Sequence, residues 1–357
     1  MPDEREAGER RKPPRGRWAP SPTGWLHLGN ARTALVAWLS VRRRGGTFVW
    51  RVEDLDPPRV VPGSAEAQQE DLAWLGLDWD EGPDRGGPGA PYAQSERAAH
   101  YEAALTRLDE AERLFPCRRS RQDLEGIASA PHGGEGLPPY PAAFRPAHLD
   151  AGWLDRLRRG QDGEDCQDRE AAGSPAALRF RVLAHPVAFV DRIQGRVVER
   201  VDRSVGDFVV KRRDGLYAYQ LAVVVDDLLM GIDDVVRGVD LLASTARQLQ
   251  LIACLGGAPP AYAHLPLVVN AAGEKLSKRD AGLTLRALRQ AGVRPAAITG
   301  YLAHSLGLLE RPEACRPADL LPLFSWRRLA GAAAAQAWRL PADLTDRLRN
   351  VRSLRSL

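Results

Sequence analysis

The chain has 357 residues, a formal net charge of +4 at pH 7, and 44% hydrophobic against 27% charged residues. This length can hold one large core with an insertion, or two to three compact domains. The composition is ordinary for a soluble globular enzyme, and no apolar run approaches the roughly 20 residues that a membrane span requires. The four cysteines form no Cys-x-x-Cys pair, so we expect a cytoplasmic protein without disulfides and without a membrane partner.

In chain order, the first predicted elements form a strand–helix–strand unit. Residues 1–16 mix acidic and basic side chains without an apolar segment, and we expect a disordered tail there. The stretch 17–30, RWAPSPTGWLHLGN, begins as a strand and turns through two prolines towards a helix over 29–44. A glycine pair ends that helix, and a second strand is predicted over 47–56. Because open parallel sheets bind ligands at their strand ends and a helix start offers unpaired amides to phosphate, this unit predicts a nucleotide site.

The composition changes after two further predicted helices, at 62–75 and 96–114. The segment 117–204 is rich in Arg, Gly, Pro, Asp and Glu, and it contains a predicted hairpin around Gln194 and Gly195. We interpret it as an α+β insertion in the main sheet domain. The predicted organisation after the tail is the first half of the sheet domain (17–116), the insertion (117–204), the second half (205–270) and a basic loop with a short helical part (271–357).

The second half of the sheet domain is predicted to alternate strands with helices. The apolar run YQLAVVVDD, at 219–227, ends in two carboxylates and is typical of a buried parallel strand. A strand at 235–240 and a helix closed by two glycines follow. A further strand at 263–270 runs into a polar, basic loop, and the chain beyond is predicted to be helical at 284–291, at 295–306 and in an Ala-rich basic tail.

Two short motifs carry chemistry at the predicted sheet edge. HLGN (27–30) stands at a helix start, where a histidine can donate to phosphate and a glycine lets a flat base lie against the backbone. KLSKR (275–279) stands in a polar loop, where paired ammonium groups can close over a polyphosphate and neutralise charge as pyrophosphate leaves. Each motif alone is compatible with an ordinary turn or a solvated basic loop. Their joint occurrence in this order favours a site for ATP.

These motifs resemble those of a known family. HLGN resembles the HIGH motif, and KLSKR the KMSKS motif, of class I aminoacyl-tRNA synthetases. More narrowly, RWAPSPTG (17–24), RVEDLD (51–56) and VRGVD (236–240) resemble the glutamyl-tRNA synthetase branch. The resemblance covers roughly 17–115 and 178–305. It implies an α/β fold, with a Rossmann-type parallel-sheet catalytic domain that activates glutamate with ATP and its Mg²⁺.

The resemblance also implies which residues form the site. Catalytic roles fall to His27, Lys275 and Lys278. ATP would be bound by His27, Gly29, Asn30 and Lys278. Glutamate would be held by Arg17, Ala19, Ser21, Glu53, Tyr219 and Arg237. The chemistry fits these roles, because Glu53 can pair with an ammonium, and two guanidiniums with a phenol favour an anion over an amide. Taken singly, each residue could equally be a surface arginine, a core tyrosine or a solvated glutamate.

The region after Asp280 narrows the resemblance. It is shorter than the helical anticodon-binding region of full-length glutamyl-tRNA synthetases, so we expect no anticodon-binding domain. The chain then resembles the glutamyl-Q tRNA(Asp) synthetase family. That resemblance implies tRNA-independent formation of glutamyl-adenylate and transfer of glutamate to queuosine at the wobble position of tRNA(Asp). The expected partners are L-glutamate, ATP and queuosine-containing tRNA(Asp). We expect the enzyme itself to be a monomer.

The sequence departs from the family pattern at a zinc site. The family usually carries Cys-x-Cys, followed by a Tyr with a Cys four residues later, whereas this chain retains only Cys117 and Tyr140. One thiolate and one phenol do not make a tetrahedral zinc site, and no other His or Cys of the insertion stands at ligand spacing. We therefore expect no bound metal in the insertion.

Three other functions remain open from the sequence. The chain could be a truncated enzyme that acylates a tRNA 3′ end, a glutamate ligase for another carrier, or a catalytically silent RNA-binding paralogue. The short C-terminal region argues against the first, because little remains to identify a tRNA. The complete set of motif residues argues against the last.

Overall fold

The computed structural model describes residues 12–119, 139–160, 175–276, 280–333 and 337–351. Its strands are β1 (Arg15–Trp18), β2 (Thr47–Trp50), β3 (Leu114–Cys117), β4 (Ala177–Phe180), β5 (Val187–Asp191), β6 (Gly195–Glu199), β7 (Phe208–Lys211), β8 (Asp234–Gly238), β9 (Ala261–Leu265), β10 (Val268–Val269) and β11 (Trp338–Arg339). Its helices are α1 (Leu28–Arg42), α2 (Ser64–Leu75), α3 (Ala98–Glu110), α4 (Trp153–Arg158), α5 (Val201–Ser204), α6 (Tyr219–Leu229), α7 (Leu242–Cys254), α8 (Leu285–Gln290), α9 (Pro295–Ser305), α10 (Trp326–Ala333) and α11 (Leu344–Arg349).

A parallel sheet of four strands, in the order β2-β1-β8-β9, lies at the centre of the described chain. Helix α1 packs over β1 and β8, and the strands are buried almost throughout, as expected when helices cover a parallel sheet. The chain moves from β1 to β2 in one direction and from β8 to β9 in the other. The carboxyl ends of β1 and β8 therefore meet at a topological switch point, where open α/β sheets bind ligands. The predicted α/β class and Rossmann-type parallel sheet are confirmed.

Most of the predicted elements of the first half are present. Helices α1, α2 and α3 form where the sequence predicts them, to within four residues at each end, whereas β2 begins at Thr47 as predicted but ends at Trp50 instead of residue 56. The predicted tail is too long, because β1 begins at Arg15, inside the segment assigned to it. Residues 1–11 lie outside the described part of the chain.

The prediction of a buried strand at 219–227 is wrong, because this run forms helix α6. The run is apolar from Leu221 to Val225, and α6 packs against α3, α7 and β7, which bury every residue from Leu221 to Asp227. Because a short run of consecutive apolar residues shows no helical period, periodicity cannot distinguish this segment from a buried strand, and its valines favour the strand. The helical spacing places Tyr219, Asp226 and Asp227 on one side of α6.

The predicted insertion contains a three-stranded antiparallel sheet, β3-β4-β7, and the separate hairpin β5-β6. The hairpin forms around Gln194 and Gly195, as predicted. The three-stranded sheet extends past the predicted limits of 117 and 204, because β3 starts before the first and β7 lies beyond the second. Strand β5 packs against β9 and α7 of the main sheet domain. The division into domains stays a prediction.

The C-terminal region is helical, as predicted, but it also contains the unpredicted strand β11. This strand pairs in parallel with β10, Val268 opposite Trp338 and Val269 opposite Arg339. The Trp338 amide donates to the Leu267 carbonyl at 2.8 Å. The pairing thus supports the chain that enters the basic loop. None of the helices in the described part of the chain is both long and apolar enough to cross a membrane.

Candidate active site

The chain leaving β1 runs beside the chain leaving β2. The backbone amide of Glu53 donates to the carbonyl of Pro20 at 3.0 Å, which continues the pairing past the ends of the two strands. Ala19, half-buried, and Ser21, exposed, flank Pro20. Three of the residues predicted to bind glutamate therefore lie together at the carboxyl edge of the sheet.

His27 caps the first helix of the sheet domain. Its Nδ1 accepts a hydrogen bond from the Asn30 amide at 3.2 Å, and Asn30 Oδ1 accepts from the His27 amide at 3.1 Å. Since Nδ1 is an acceptor, the neutral ring carries its proton on Nε2. Burial, followed by the charge of Lys275, lowers the pKa of His27 to about 4. Near neutral pH the ring is therefore uncharged and presents Nε2–H as a hydrogen-bond donor.

Gly29 lies directly under this ring. A Cβ at Gly29 would stand 2.9 Å from Cε1 and 3.0 Å from Nδ1 of His27. Real Cβ atoms essentially never approach so closely, so any larger residue would displace the imidazole from its capping position. The sequence motif pairs histidine with glycine for this steric reason, in addition to any contact of the backbone with a base.

We expect Gly29→Ala to lower the rate of glutamate-dependent ATP–pyrophosphate exchange by about 100-fold, because displacing a reacting group by about 1 Å costs that much. Steady-state exchange assays measure this loss. Gly331→Ala is the matched control, since Gly331 lies in α10 with nothing within 4 Å of the added Cβ. An unchanged rate in the Gly29 variant would contradict the placement of His27 against the substrate.

The described ends of the basic loop lie beside His27. Thr284, the N-cap of α8, forms an isolated β-bridge with His27, and Lys275 forms one with Val269. The Lys275 ammonium pairs with Asp240 Oδ2 at 2.6 Å. The structure thus brings Lys275, at the described start of the second motif, close enough to His27 to act on its charge. Residues 277–279, which include the predicted catalytic Lys278, lie outside the described part of the chain.

Four of the residues predicted to bind glutamate converge between β1, β8 and the start of α6. Arg17 and Arg237 are buried, and Tyr219 is the first residue of α6. Burial raises the pKa of the Tyr219 phenol, and the Glu53 carboxylate raises it further, whereas the guanidiniums of Arg237 and Arg17 act in the opposite direction. All four groups therefore interact electrostatically, although they come from distant parts of the sequence.

Glu53 is a carboxylate with only 9% of its side chain exposed and with one close cationic partner. Arg51 Nη2 donates to Glu53 Oε1 at 3.0 Å. Burial raises the pKa of Glu53, and the charges of Arg51 and Arg17 offset that rise only in part. A further positive group entering beside Glu53 would favour its ionised form. The amino group of an amino acid would supply that charge.

A buried ionic network holds this arrangement in place. Arg51 is fully buried, and its Nη1 lies 2.6 Å from Asp227 Oδ1, which also contacts Arg17 Nε at 3.4 Å. Burial would raise the pKa of Asp227, but Arg51 and Arg17 hold it below its ordinary value. The neighbouring Asp226 contacts Arg97 Nε at 2.6 Å. These pairs fix helix α6 against β1 and β2, and hence fix Tyr219 relative to Arg17.

Sequence reasoning missed three buried residues behind Arg237. Arg237 Nε donates to His264 Nε2 at 2.9 Å, and its Nη2 donates to Thr245 Oγ1 at 2.9 Å. His264 Nδ1 in turn lies 2.6 Å from Asp191 Oδ2. Arg237 Nη1 has no hydrogen-bond partner although the residue is only 4% exposed. No local spacing links Asp191 to His264, which are 73 positions apart.

The residues at the family's zinc position do not fit a zinc ion here. Cys117 Sγ lies 3.4 Å from the Tyr140 hydroxyl, and the Arg179 guanidinium stands 4.1 Å over the Tyr140 ring. A fixed cation in this place repels a second one, and two donors are too few for tetrahedral zinc. The described residues hold no cluster of three or more potential metal ligands. Because His132 and Cys166 lie outside them, zinc-independence stays a prediction.

Comparison with protein-family models identifies residues 15–315 as the catalytic domain of class I tRNA synthetases for glutamate and glutamine (E and Q). A relative from Symbiobacterium thermophilum, named glutamyl-Q tRNA(Asp) synthetase, is 48% identical over 92% of this chain and 96% of its own. A relative of the same name from Nitratidesulfovibrio vulgaris is 44% identical over 94% of this chain and 98% of its own chain. A glutamate–tRNA ligase 2 from Acidithiobacillus ferrooxidans is 43% identical over 81% of this chain but 57% of its own.

Comparison with solved structures also finds similarity to glutamate–tRNA ligases. The crystal structure of a glutamate tRNA ligase from Elizabethkingia meningosepticum, in complex with its amino acid, superimposes with a TM-score of 0.77. The two chains are 29% identical, and the match covers 94% of this chain and 68% of the other. The structural match therefore extends over nearly the whole chain, and the catalytic-domain match covers residues 15–315.

Proposed function

Since the chain belongs to the class I tRNA synthetases for glutamate and glutamine, we propose that it activates glutamate with ATP and transfers it to queuosine at the wobble position of tRNA(Asp). The chain is an ATP-dependent ligase of the aminoacyl-tRNA synthetase type. The observation that carries the choice of glutamate is the buried Arg237, whose Nη1 has no hydrogen-bond partner and whose charge, like those of Arg17 and Glu53, acts on the Tyr219 phenol.

In the proposed activation step, an oxygen of the α-carboxylate of glutamate attacks the α-phosphorus of ATP. The bond between that phosphorus and the bridging oxygen of pyrophosphate breaks. The products are glutamyl-adenylate and pyrophosphate. His27 Nε2–H would donate to a phosphate oxygen, while Lys275 and Lys278 would neutralise the charge that develops on the leaving group. ATP enters as its Mg²⁺ complex, and that ion belongs to the substrate.

The pocket accounts for the choice of amino acid. Glu53 would pair with the α-ammonium, and Arg237, Arg17 and Tyr219 would meet the side-chain carboxylate. Glutamine offers an amide at that position, which would leave the Arg237 charge without a counter-charge in a buried place. We therefore propose a strong preference for glutamate over glutamine.

In the proposed second step, a nucleophile of queuosine attacks the acyl carbon of the adenylate, and AMP leaves. Support comes from relatives printed with the name glutamyl-Q tRNA(Asp) synthetase, which match over nearly their whole lengths. A base of a single-stranded anticodon loop can be splayed into a pocket in this way. The second candidate is acylation of a tRNA 3′ end, which the similarity to glutamate–tRNA ligase 2 of Acidithiobacillus ferrooxidans favours.

The activation step is tested by ATP–pyrophosphate exchange without tRNA. We expect exchange with glutamate and none above background with glutamine at equal concentration. A requirement for tRNA in this assay would overturn the proposed reaction order.

The acceptor is identified with radioactive glutamate and three tRNAs. We expect label on queuosine-containing tRNA(Asp), and none on unmodified tRNA(Asp) or on tRNA(Glu). Label on tRNA(Glu) would support the second candidate instead. Activation without transfer to any of the three would point to another carrier.

A further inference from the structure

We propose that Asp191 and His264 are positioning residues, which hold the Arg237 guanidinium with its Nη1 turned towards the side-chain carboxylate of the amino acid. This inference rests on the proposed function, because it assigns Arg237 to the glutamate pocket. It concerns residues outside the two sequence motifs. It also connects the β5-β6 hairpin to the choice of substrate.

The direction of each hydrogen bond follows from the arginine. An arginine Nε–H can only donate, so His264 Nε2, at 2.9 Å from it, must be the acceptor. The proton of the neutral imidazole then stands on Nδ1, which donates to Asp191 Oδ2 at 2.6 Å. Only one tautomer of His264 satisfies both contacts. The carboxylate of Asp191 selects that tautomer, since it can only accept.

Burial makes this chain of bonds decisive for the orientation of Arg237. The His264 side chain and the Asp191 side chain are both fully buried. With Nε held by His264 and Nη2 held by Thr245 Oγ1, the planar guanidinium has no remaining freedom of rotation. Its third nitrogen, Nη1, is the one left without a partner. An anionic group in the pocket can therefore meet a donor that is already oriented.

The backbone fixes Asp191 in turn. Its Oδ1 accepts from the amides of Ile193 and Gln194, both at 2.9 Å, and from the His264 amide at 3.2 Å. Oδ2 is thus the oxygen available to the imidazole. The Gln194 side chain also donates to the His264 carbonyl at 2.9 Å. The turn of the hairpin therefore holds both ends of the Asp191–His264 pair.

The charges agree with this geometry. Burial and then the neighbouring Arg237 lower the pKa of His264, against the opposing effect of Asp191. Burial would raise the pKa of Asp191, but the His264 hydrogen bond and the two turn amides hold it below its ordinary value. An ionised Asp191 beside a neutral His264 is the combination that the hydrogen bonds require. Ionised Arg237 is then the only cation of the three.

The test is Asp191→Asn, measured by glutamate-dependent ATP–pyrophosphate exchange. The asparagine keeps the Oδ1 that accepts the three amides, but it places NH₂ towards His264 Nδ1. The imidazole must then carry its proton on Nε2. This N–H would face the Nε–H of Arg237, so two donors would meet and the hydrogen bond between them would be lost. We expect the KM for glutamate to rise about 10- to 100-fold, with the KM for ATP unchanged. Asp207→Asn is the matched control, a buried aspartate that pairs with Arg145 in the insertion.

A second set of variants separates positioning from structure. His264→Gln can place an amide oxygen near the former Nε2 and restore the acceptor for Arg237, whereas the shorter His264→Asn cannot. We expect a near-normal KM for glutamate in the Gln variant and a raised one in the Asn variant. In the His264→Gln background, Asp191→Asn should change the KM for glutamate little further. The side-chain amide at position 264 can turn so that its oxygen still accepts from Arg237 Nε.

Three results would overturn the inference. They are an unchanged KM for glutamate in Asp191→Asn, an equal rise for ATP and glutamate, and equal values for His264→Gln and His264→Asn. The last comparison decides the matter if Asp191→Asn does not fold. Absence of glutamate-dependent exchange in the unsubstituted enzyme would instead overturn the proposed function on which the inference rests.

Discussion

Replacing Arg237 by glutamine should lower kcat/KM for glutamate activation about 1,000-fold while leaving the KM for ATP nearly unchanged. The arginine is buried, and its Nη1 is the donor left without a partner. Removing it would leave a substrate carboxylate desolvated opposite an uncharged amide. Losing one member of a buried charge pair costs about 2 to 5 kcal/mol, and about 4 kcal/mol corresponds to this factor.

Exchange assays over a range of glutamate and ATP concentrations measure the effect. Arg311→Gln is the matched control, because that side chain is 80% exposed and pairs only locally with Glu313. We expect the control to retain full activity. If the Arg237 variant showed an equal rise in the KM for ATP and the KM for glutamate, that result would argue against a place for Arg237 in the amino-acid pocket.

The second large effect concerns stability, and we expect Asp226→Asn to lower the free energy of unfolding by about 3 kcal/mol or more. Asp226 Oδ1 accepts from Arg97 Nε at 2.6 Å, and its Oδ2 accepts from Gln94 Nε2 at 2.7 Å and from the Tyr101 hydroxyl at 3.0 Å. Whichever way the asparagine amide turned, its NH₂ group would face a donor. The buried Arg97 would also lose its counter-charge.

Urea unfolding followed by circular dichroism measures this change as a lower midpoint. Asp343→Asn serves for comparison, because Asp343 forms an exposed pair with Arg347 on α11. That substitution should change stability by about 1 kcal/mol or less. If the two variants unfolded at the same urea concentration, the buried network would not be holding α6 in place.

The structure brings the described candidate site residues together, although one of the elements that carry them was predicted wrongly, and their roles stay a prediction. His27 and Gly29 are two positions apart in the chain, and their proposed roles at a helix start follow from local chemistry. Arg17 lies near the carboxyl end of β1 and Glu53 follows β2, so their proximity follows from the parallel pairing of these two strands. Tyr219 was expected at the start of a strand and lies at the start of a helix instead. A parallel strand starting at Tyr219 would have placed this residue at the amino edge of the sheet, so its position beside Arg17, Arg237 and Glu53 follows from the helix and not from the predicted strand.

The parts that could not be predicted depend on contacts between distant segments. Nothing beside His264 in the sequence distinguishes it from an ordinary strand residue, and its partner Asp191 belongs to a hairpin in another segment. The all-apolar run that became α6 shows only that its residues are buried, and the element type was decided by the helices and strands that surround it. Strand β11 has two residues and no periodicity to recognise.

The pairing of β10 with β11 has a consequence for the order of biosynthesis. The stem entering the basic loop is completed by hydrogen bonds from the Trp338 amide to the Leu267 carbonyl and from the Leu340 amide to the Val269 carbonyl, at 2.8 and 2.9 Å. Proteins emerge from the ribosome N-terminus first, so the amino-acid pocket can assemble while this support is still unmade. The segments that carry Arg17, Tyr219 and Arg237 are therefore all synthesised before the segment that completes the stem. The stem of the basic loop gains its last hydrogen bond only after Leu340 has been synthesised.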